Sequence, residues 1–345
     1  MFTHLRTQLV GQGKQGIIKH LLQQRTTMSA TNSVEANKSN SKPSLVVDYD
    51  YETGTVTEQK TKMSARDFML SSETGIYTAM RTVCGGKRVF LFDDHLQRLG
   101  NSHRVVLPKD MARRDDPEYW RRILCPLIRR GVDAFSAECP DDEAKITVLA
   151  GTREARLHFT CLNTHKQVAC WVRFVTGVRR DTPEAKNIQW VHERESLEPM
   201  IAPPVNEVVL TDRCSEGERF YEGISSNFFA TRRISSSSAT RAPEYLNYQL
   251  VSAPRDCVLL GTVMKLVLRI CDRDGIQVVY DPSVDFGGWN GAFVSSTSRW
   301  VLPIETIVYG HGDAVAEHRL DASDPLVAHL RESVKNMAAE NSTKM

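Results

Sequence analysis

The chain lacks an apolar run long enough to cross a bilayer, where about twenty consecutive apolar residues are needed. It also lacks a C-x-x-C pair. Its eight cysteines, at 84, 125, 139, 161, 170, 214, 257 and 271, fall at no regular spacing. That argues against a structural zinc or a disulfide framework, and for free, mostly buried thiols in a reducing compartment. Charge of one sign is scarce too. The net charge is +2, whereas a dedicated nucleic-acid binder carries a larger, clustered basic excess. No internal repeat is present.

Acid is missing from the start of the chain. None precedes Glu35, while Arg6, Lys14, Lys19 and Arg25 are spaced among Leu and Ile. This is the composition of an amphipathic organellar presequence leading into a Ser/Asn/Lys linker, and equally of a plain disordered tail with Met28 as an alternative start. Residues 1–45 are therefore set apart from the fold as a targeting or disordered segment. The location expected is cytoplasmic or organellar, mitochondrial or plastid, and not secreted. Residues 336–345 are expected to fray.

What is present fits a globular protein of 345 residues, 41% hydrophobic and 25% charged. Strand and helix signals alternate in two blocks, which predicts a mixed α+β (α/β) protein of two domains, residues 46–165 and 166–335. In the first, "SLVVDYDYETGTVTEQ" reads as a hairpin turned at Gly54. "DDHLQRLGNSHRVVLP" reads as a short helix capped by Asp93 or Asp94 and stopped by Pro108. "DPEYWRRILCPLIRRG" reads as a second helix, started by Pro117, bent or shortened by Pro126 and ended at Gly131. "AKITVLAG" and "ARLHFTCL" read as paired strands. In the second block, "VACWVRFVTGV" is a strand and "RRDTPEAK" a polar turn. "NEVVLTD" and "GERFYEGISSNFFATR" read as two strands about a turn at Glu216–Gly217. "LLGTVMKLVLRICDRDG" enters a helix at Gly261–Thr262 and leaves it at Gly275. The Ser run at 235–238 reads as a turn insertion.

One stretch breaks the pattern. "FYEGISSNFFATRR" sets Glu222 in a strand that is otherwise apolar, and a buried carboxylate needs a partner. Taken with three other segments it resembles the class IV pyridoxal phosphate enzymes, the family of branched-chain aminotransferases, D-amino acid aminotransferases and aminodeoxychorismate lyases. "DDHLQRLGNS" is similar to the family's H-x-x-R-L segment, which implies Arg98 as a phosphate ligand. "EAKNIQWV" resembles the segment of the Schiff-base lysine, which implies Lys186, with Gln189 and Trp190 following. "YEGISSNFF" resembles E-G-x-x-x-N-[IVLF]-F, which implies Glu222 as partner of the pyridine nitrogen, with Ser225, Ser226 and Asn227 lining the pocket. "LLGTVMKLVL" and "FVSSTSRWVLPI" resemble the two phosphate segments, which implies Gly261, Thr262, Val263 and Thr297 around the phosphate. The segments occur in family order over residues 45–320.

Each part has a chemical reason. The lysine amine must be neutral part of the time to attack a carbonyl and to shuttle a proton. The carboxylate keeps the ring nitrogen protonated, so that the ring withdraws electrons. The phosphate wants an arginine, hydroxyls and the N–H groups of a helix start. The resemblance thus implies a fold-type IV enzyme holding pyridoxal 5′-phosphate between two domains, usually a homodimer, with no metal, nucleic acid or membrane. An aminotransferase using an amino donor and a 2-oxo acid acceptor is the first expectation. A lyase on the same carbanion, or a family member that only binds, is the alternative.

Departures from the family pattern fall in the phosphate segments and in the substrate-side strand, and they leave the substrate open. Met264 and Lys265 stand where the phosphate loop commonly ends in arginine, Leu260 where it has proline, and Ser295–Thr297 read "SST" for T-G-T. "TGIYTAMRT" matches no familiar substrate signature. On a strand its positions 77, 79 and 81 share a face, which makes Tyr77 and Arg81 candidates for a substrate carboxylate.

Overall fold

The first hairpin forms as read. In the computed structural model, which describes residues 44–106, 113–162, 168–234, 243–310 and 312–345, strand β1 (Ser44–Asp50) pairs antiparallel with β2 (Val56–Thr61). Gly54 turns the chain between them at φ +68°, a backbone conformation that glycine adopts without a Cβ clash. The expected presequence, the stop at Pro108 and the Ser235–Ser238 insertion lie outside the described residues.

The first block continues through α1 (Ala65–Leu70), β3 (Ile76–Val83), β4 (Arg88–Phe90), α2 (Phe92–Val106), α3 (Pro117–Glu138), β5 (Ala144–Ala150) and β6 (Glu154–Cys161). The second runs β7 (Cys170–Thr176), α4 (Ile188–Glu193), β8 (Val205–Cys214), β9 (Gly217–Gly223), β10 (Asn227–Arg233), β11 (Tyr248–Ser252), α5 (Thr262–Asp274), β12 (Val278–Tyr280), β13 (Gly291–Ser296), β14 (Trp300–Tyr309), β15 (Ala316–Arg319), α6 (Pro325–Asn336) and β16 (Ser342–Lys344). The strands form two sheets. The seven-stranded sheet has the order β16-β4-β3-β5-β6-β1-β2, and the nine-stranded sheet β12-β11-β10-β13-β14-β7-β8-β9, with β15 beside β14. A single rung, Glu222 opposite Asn227, returns β9 to β10. Strands β10, β13, β14, β7, β8 and β9 thus close into a ring.

Helices α2 and α3 cover one face of the smaller sheet. Leu96, Leu99, Trp120, Leu124 and Ile128 pack on Ile146, Val148 and Phe159 in one buried cluster. Helix α3 differs from the sequence expectation. It runs 22 residues, through Pro126 and past Gly131. Pro126 removes one N–H and crowds the preceding turn, but the buried face made by Leu124, Leu127, Ile128, Val132 and Phe135 holds the helix together across it. Gly131 is no terminator. A Cβ there would run into the Phe159 ring, so the glycine serves close approach of helix to strand.

Two further expectations are corrected. "GERFYEGISSNFFATR" is two strands, because residues 224–226 bend the chain between β9 and β10. The end of the chain is not frayed: β16 pairs antiparallel with β4, Leu91 N–H donates to Asn341 O at 2.7 Å, and Arg88 donates to the Ser342 carbonyl. Among the described residues no helix is long and apolar enough to cross a membrane. All eight cysteines are free, with Cys139 and Cys161 Sγ atoms 3.6 Å apart near Asp142. Gly131→Ala should destabilise the fold by about 1–3 kcal/mol through overpacking against Phe159, read as a lower denaturation midpoint. A gain would mean that helix propensity outweighs the contact.

Candidate active site

A cavity of about 260 Å³ gathers residues from both sheets. The smaller sheet contributes Tyr77 and Ala79 from β3, and Lys145 and Thr147 from β5; α2 contributes Arg98. The larger sheet and its loops contribute Lys186, Trp190, Glu222, Ser225, Ser226, Asn227 and the Ser295–Arg299 turn.

Lys186 is seated by its backbone. Its carbonyl accepts from Tyr77 N–H at 3.0 Å, and its N–H donates to Ser102 Oγ at 3.0 Å. Asn187 then caps α4 by accepting from Trp190 N–H, which fixes where the lysine leaves the chain. The ammonium lies 4.6 Å from the Tyr77 ring centroid. Burial is the main reason its pKa falls from the ordinary 10.5 to about 8; Arg98, Arg194 and Arg180 lower it further, and Tyr77 opposes them. Burial alone would raise the Tyr77 phenol, but Lys186, Arg194 and Arg180 outweigh it and bring the phenol down to about 7.

Glu222 is 4% exposed and has a protein partner that its sequence context does not announce. Arg180 NH1 donates to its Oε1 at 3.0 Å, and Leu259 N–H donates to Oε2 at 3.1 Å. Burial pulls the carboxyl above its ordinary range, while Arg180 and the Leu259 N–H oppose that. Each carboxylate oxygen keeps a lone pair for a further donor.

At the other end, Arg98 is held in place and left with donors to spare. Its NH2 donates to Thr78 Oγ1 at 2.5 Å and to His95 Nδ1 at 2.8 Å, while Nε has no partner among the described residues. His95, in the first turn of α2, joins this end of the site. It is fully buried, and because Nδ1 accepts from arginine it is neutral, consistent with a pKa held well below 6.5 by burial and the Arg98 charge. Helix α5 begins here with Gly261 as N-cap and no side-chain cap, so its first N–H groups are free for an anion. A Cβ on Gly261 would strike Asn227 Oδ1, and Asn227 Nδ2 holds the Leu259 carbonyl at 2.7 Å. Thr262 and Thr297 Oγ1 atoms are 3.4 Å apart, and the buried Ser295 hydroxyl has no partner among the described residues. Spare arginine donors, an uncapped helix start and free hydroxyls fit a phosphate group.

The structure thus brings together Arg98, Lys186, Glu222, Ser225, Ser226, Asn227, Gly261, Thr262, Val263, Thr297 and Tyr77 around one cavity. Arg81 is not among its walls. The Arg81 guanidinium lies over the Trp300 ring, 4.4 Å from the centroid. Lys265 reaches Asp94 at 3.9 Å and does not replace the missing loop arginine. The Ser225 and Ser226 hydroxyls are committed to the fully buried Glu207, at 2.6 and 3.0 Å, and Glu207 also receives Arg299 at 2.7 Å. Sequence reasoning missed Arg180, Glu207, Arg299, Arg194, Lys145 and Thr147. For Arg180 a signal existed: a buried acid at 222 demands a cation, and "RRDTPEAK" supplies two arginines just before Lys186.

The amino-transferase class IV family matches residues 75–307, and the chain belongs to that family. The fold is the one its transaminases share. A hypothetical aminotransferase from Mycobacterium tuberculosis in PLP-bound form superposes with a TM-score of 0.62 at 16% identity, covering 86% of this chain and 99% of that one. The branched-chain aminotransferase of Thermoproteus uzoniensis with norvaline gives 0.59 at 16%, covering 88% and 99%. The branched-chain amino acid aminotransferase of Thermobaculum terrenum in PLP-form gives 0.58 at 14%, covering 88% and 95%. No curated protein matches the sequence.

Acylation of Lys186 in the cofactor-free protein, followed by peptide mass spectrometry, should have its pH midpoint near 8 instead of near 10.5. Tyr77→Phe should move the midpoint lower, since the phenolate is what holds the amine's pKa up. A midpoint near 10.5 in both proteins would mean that the lysine is solvated.

Proposed function

We propose that this chain is a pyridoxal 5′-phosphate-dependent aminotransferase, working on an amino acid and a 2-oxo acid with Lys186 as its reactive amine. The observation that carries the reading is the joint presence, on one cavity, of a lysine with its pKa brought to about 8, a buried carboxylate, and a buried arginine beside an uncapped helix start. When bound, the cofactor supplies an electron sink for the substrate's α-carbon.

The chain's own residues do the rest. Arg98, the first N–H groups of α5, and the hydroxyls of Thr262 and Thr297 hold the phosphate. Glu222, steadied by Arg180, would partner the ring nitrogen and favour its protonated form, and that positive charge would in turn favour the carboxylate against its burial. Lys186, neutral in a substantial fraction near pH 8, is the amine that attaches the cofactor. Its free Nζ would be the base that takes the substrate's Cα proton and returns it to the carbon on the far side of the substrate's nitrogen. The division into domains at residues 46–165 and 166–335 belongs to this proposal. So does a homodimer, which rests on the family resemblance, and a reducing compartment, which rests on eight free thiols.

Purified protein should absorb at about 410–430 nm with the cofactor attached, and borohydride should abolish the band. Lys186→Ala should keep the fold and lose turnover by at least about a hundredfold, the low end for removing a positioned proton-transfer group. A donor screen against pyruvate and 2-oxoglutarate reads transfer, and pyruvate release from aminodeoxychorismate reads elimination. A colourless protein that takes up no cofactor would contradict the proposal.

A further inference from the structure

Where α3 ends and β5 and β6 meet, two thiols and a carboxylate come together outside the cavity. Cys139 is the C-cap of α3, Asp142 stands in the turn before β5, and Cys161 is the last residue of β6. Backbone bonds fix this corner. Cys139 N–H donates to Phe135 O at 2.9 Å, Asp142 N–H to Cys139 O at 3.2 Å, and Leu162 N–H to Glu143 O at 2.7 Å. Cys161 lies opposite Ala144 in the strand ladder. Cys139 is buried, Asp142 and Cys161 are half-buried, and Pro140 and Asp141 between the first two are exposed. A cation can therefore reach the cluster from solvent without crossing the core.

The ligand atoms converge. Cys161 Sγ lies 3.6 Å from Cys139 Sγ and 3.5 Å from Asp142 Oδ2, and one ligand atom from each residue falls within 4.8 Å of the other two. Around a tetrahedral zinc, with Zn–S of about 2.3 Å and Zn–O of about 2.0–2.2 Å, two sulfurs stand about 3.8 Å apart, and a sulfur and an oxygen about 3.5–3.7 Å. Two edges of the cluster already have these lengths, and the third closes on binding. A disulfide asks for more: the sulfurs would have to meet at about 2.05 Å, moving a helix end against a strand end. Burial, then Cys139 and Asp142, also push the Cys161 thiol up to about 12, away from the thiolate that oxidants attack. Sulfur with a single carboxylate is a donor set for zinc and not for magnesium or calcium.

We propose that Cys139, Asp142 and Cys161 form a binding site for a thiophilic divalent cation, zinc by this donor set, with solvent in the fourth position. Binding replaces two S–H bonds by two Zn–S bonds, and two protons leave to solvent for each cation taken up, with no change of oxidation state. The cation ties the end of α3 to the β5–β6 corner, and so stiffens the helix that packs on the smaller sheet. The site is independent of Lys186 and of any cofactor. Cys139-Pro140-Asp141-Asp142 is a C-x-x-D spacing, which a search for C-x-x-C passes over, and Cys161 joins it only through strand pairing.

The test is zinc binding by the full-length chain, purified under reducing conditions and stripped with a chelator. One zinc per chain should be retained after dialysis, read by native mass spectrometry, and the melting temperature should rise with zinc concentration. Zinc should also slow iodoacetamide alkylation of the Cys139 and Cys161 peptides, a readout that needs no substitution. Cys139→Ser and Cys161→Ser should each weaken zinc binding by more than the about tenfold to hundredfold typical of outer-shell partners. Asp142→Asn, at a half-buried position, should weaken binding and keep the fold. Cys84→Ser and Cys214→Ser, which alter exposed thiols, should leave binding unchanged. Absence of retained zinc would overturn the proposal, as would retention that survives the paired Cys139→Ser and Cys161→Ser substitutions. A Cys139–Cys161 disulfide formed in air by a protein that takes up no zinc when reduced would overturn it in favour of a redox pair.

Discussion

The constraint on which the site depends is an excess of buried positive charge. Among the described residues six cationic side chains border the cavity, and Glu222 is the only carboxylic acid that does. Burying cations is unfavourable unless anions come with them. The protein supplies three carboxylates, Glu222, the Glu198 beside Arg194, and the Glu207 lying behind Ser225 and Ser226. What is left over, chiefly Arg98, Lys186 and Lys145, is a demand for negative charge from outside. Such a cavity suits anionic groups such as phosphate and carboxylate.

The same excess explains the chemistry available to Lys186. Its amine is brought to about 8 mainly by burial and then by the guanidinium groups around it. An isolated surface lysine has none of these influences. The Tyr77 phenol, at about 7, partly offsets them, so the amine and the phenol share a proton economy near neutral pH. The larger sheet fixes this arrangement in space. Its ring closes through the Glu222–Asn227 rung, so the buried carboxylate and the residue that shapes the Gly261 turn sit directly across from one another.

Legibility in the sequence followed the range of the interactions. The Gly54 hairpin, the entry of α5 at Thr262 and its stop at Gly275, where φ is +70°, are local events that turn chemistry announces. Arg98, Lys186, Glu222 and the Gly261–Thr262 turn were legible because each lies in a short segment with a family counterpart. Helix α3 was misjudged because the packing of Gly131 on Phe159 is invisible without the strand it meets. The tail was misjudged because β16 gains its partner, β4, some 250 residues earlier in the chain. Arg180, Lys145 and Thr147 escaped for the same reason: strand register and loop closure bring them to the cavity, and neither is written in a local motif. Arg81 was placed correctly by strand face, but the Trp300 ring holds it away from the cavity.

The central claim is that the cofactor is held by Lys186 and by no other lysine, and Lys145 on the same cavity makes the question a real one. Borohydride reduction of the holoprotein, followed by peptide mass spectrometry, tests it directly. The account predicts a single pyridoxyl-phosphate mass increment on the peptide carrying Lys186. An increment on Lys145 or Lys265, or none at all from a protein that turns over substrate, would contradict it.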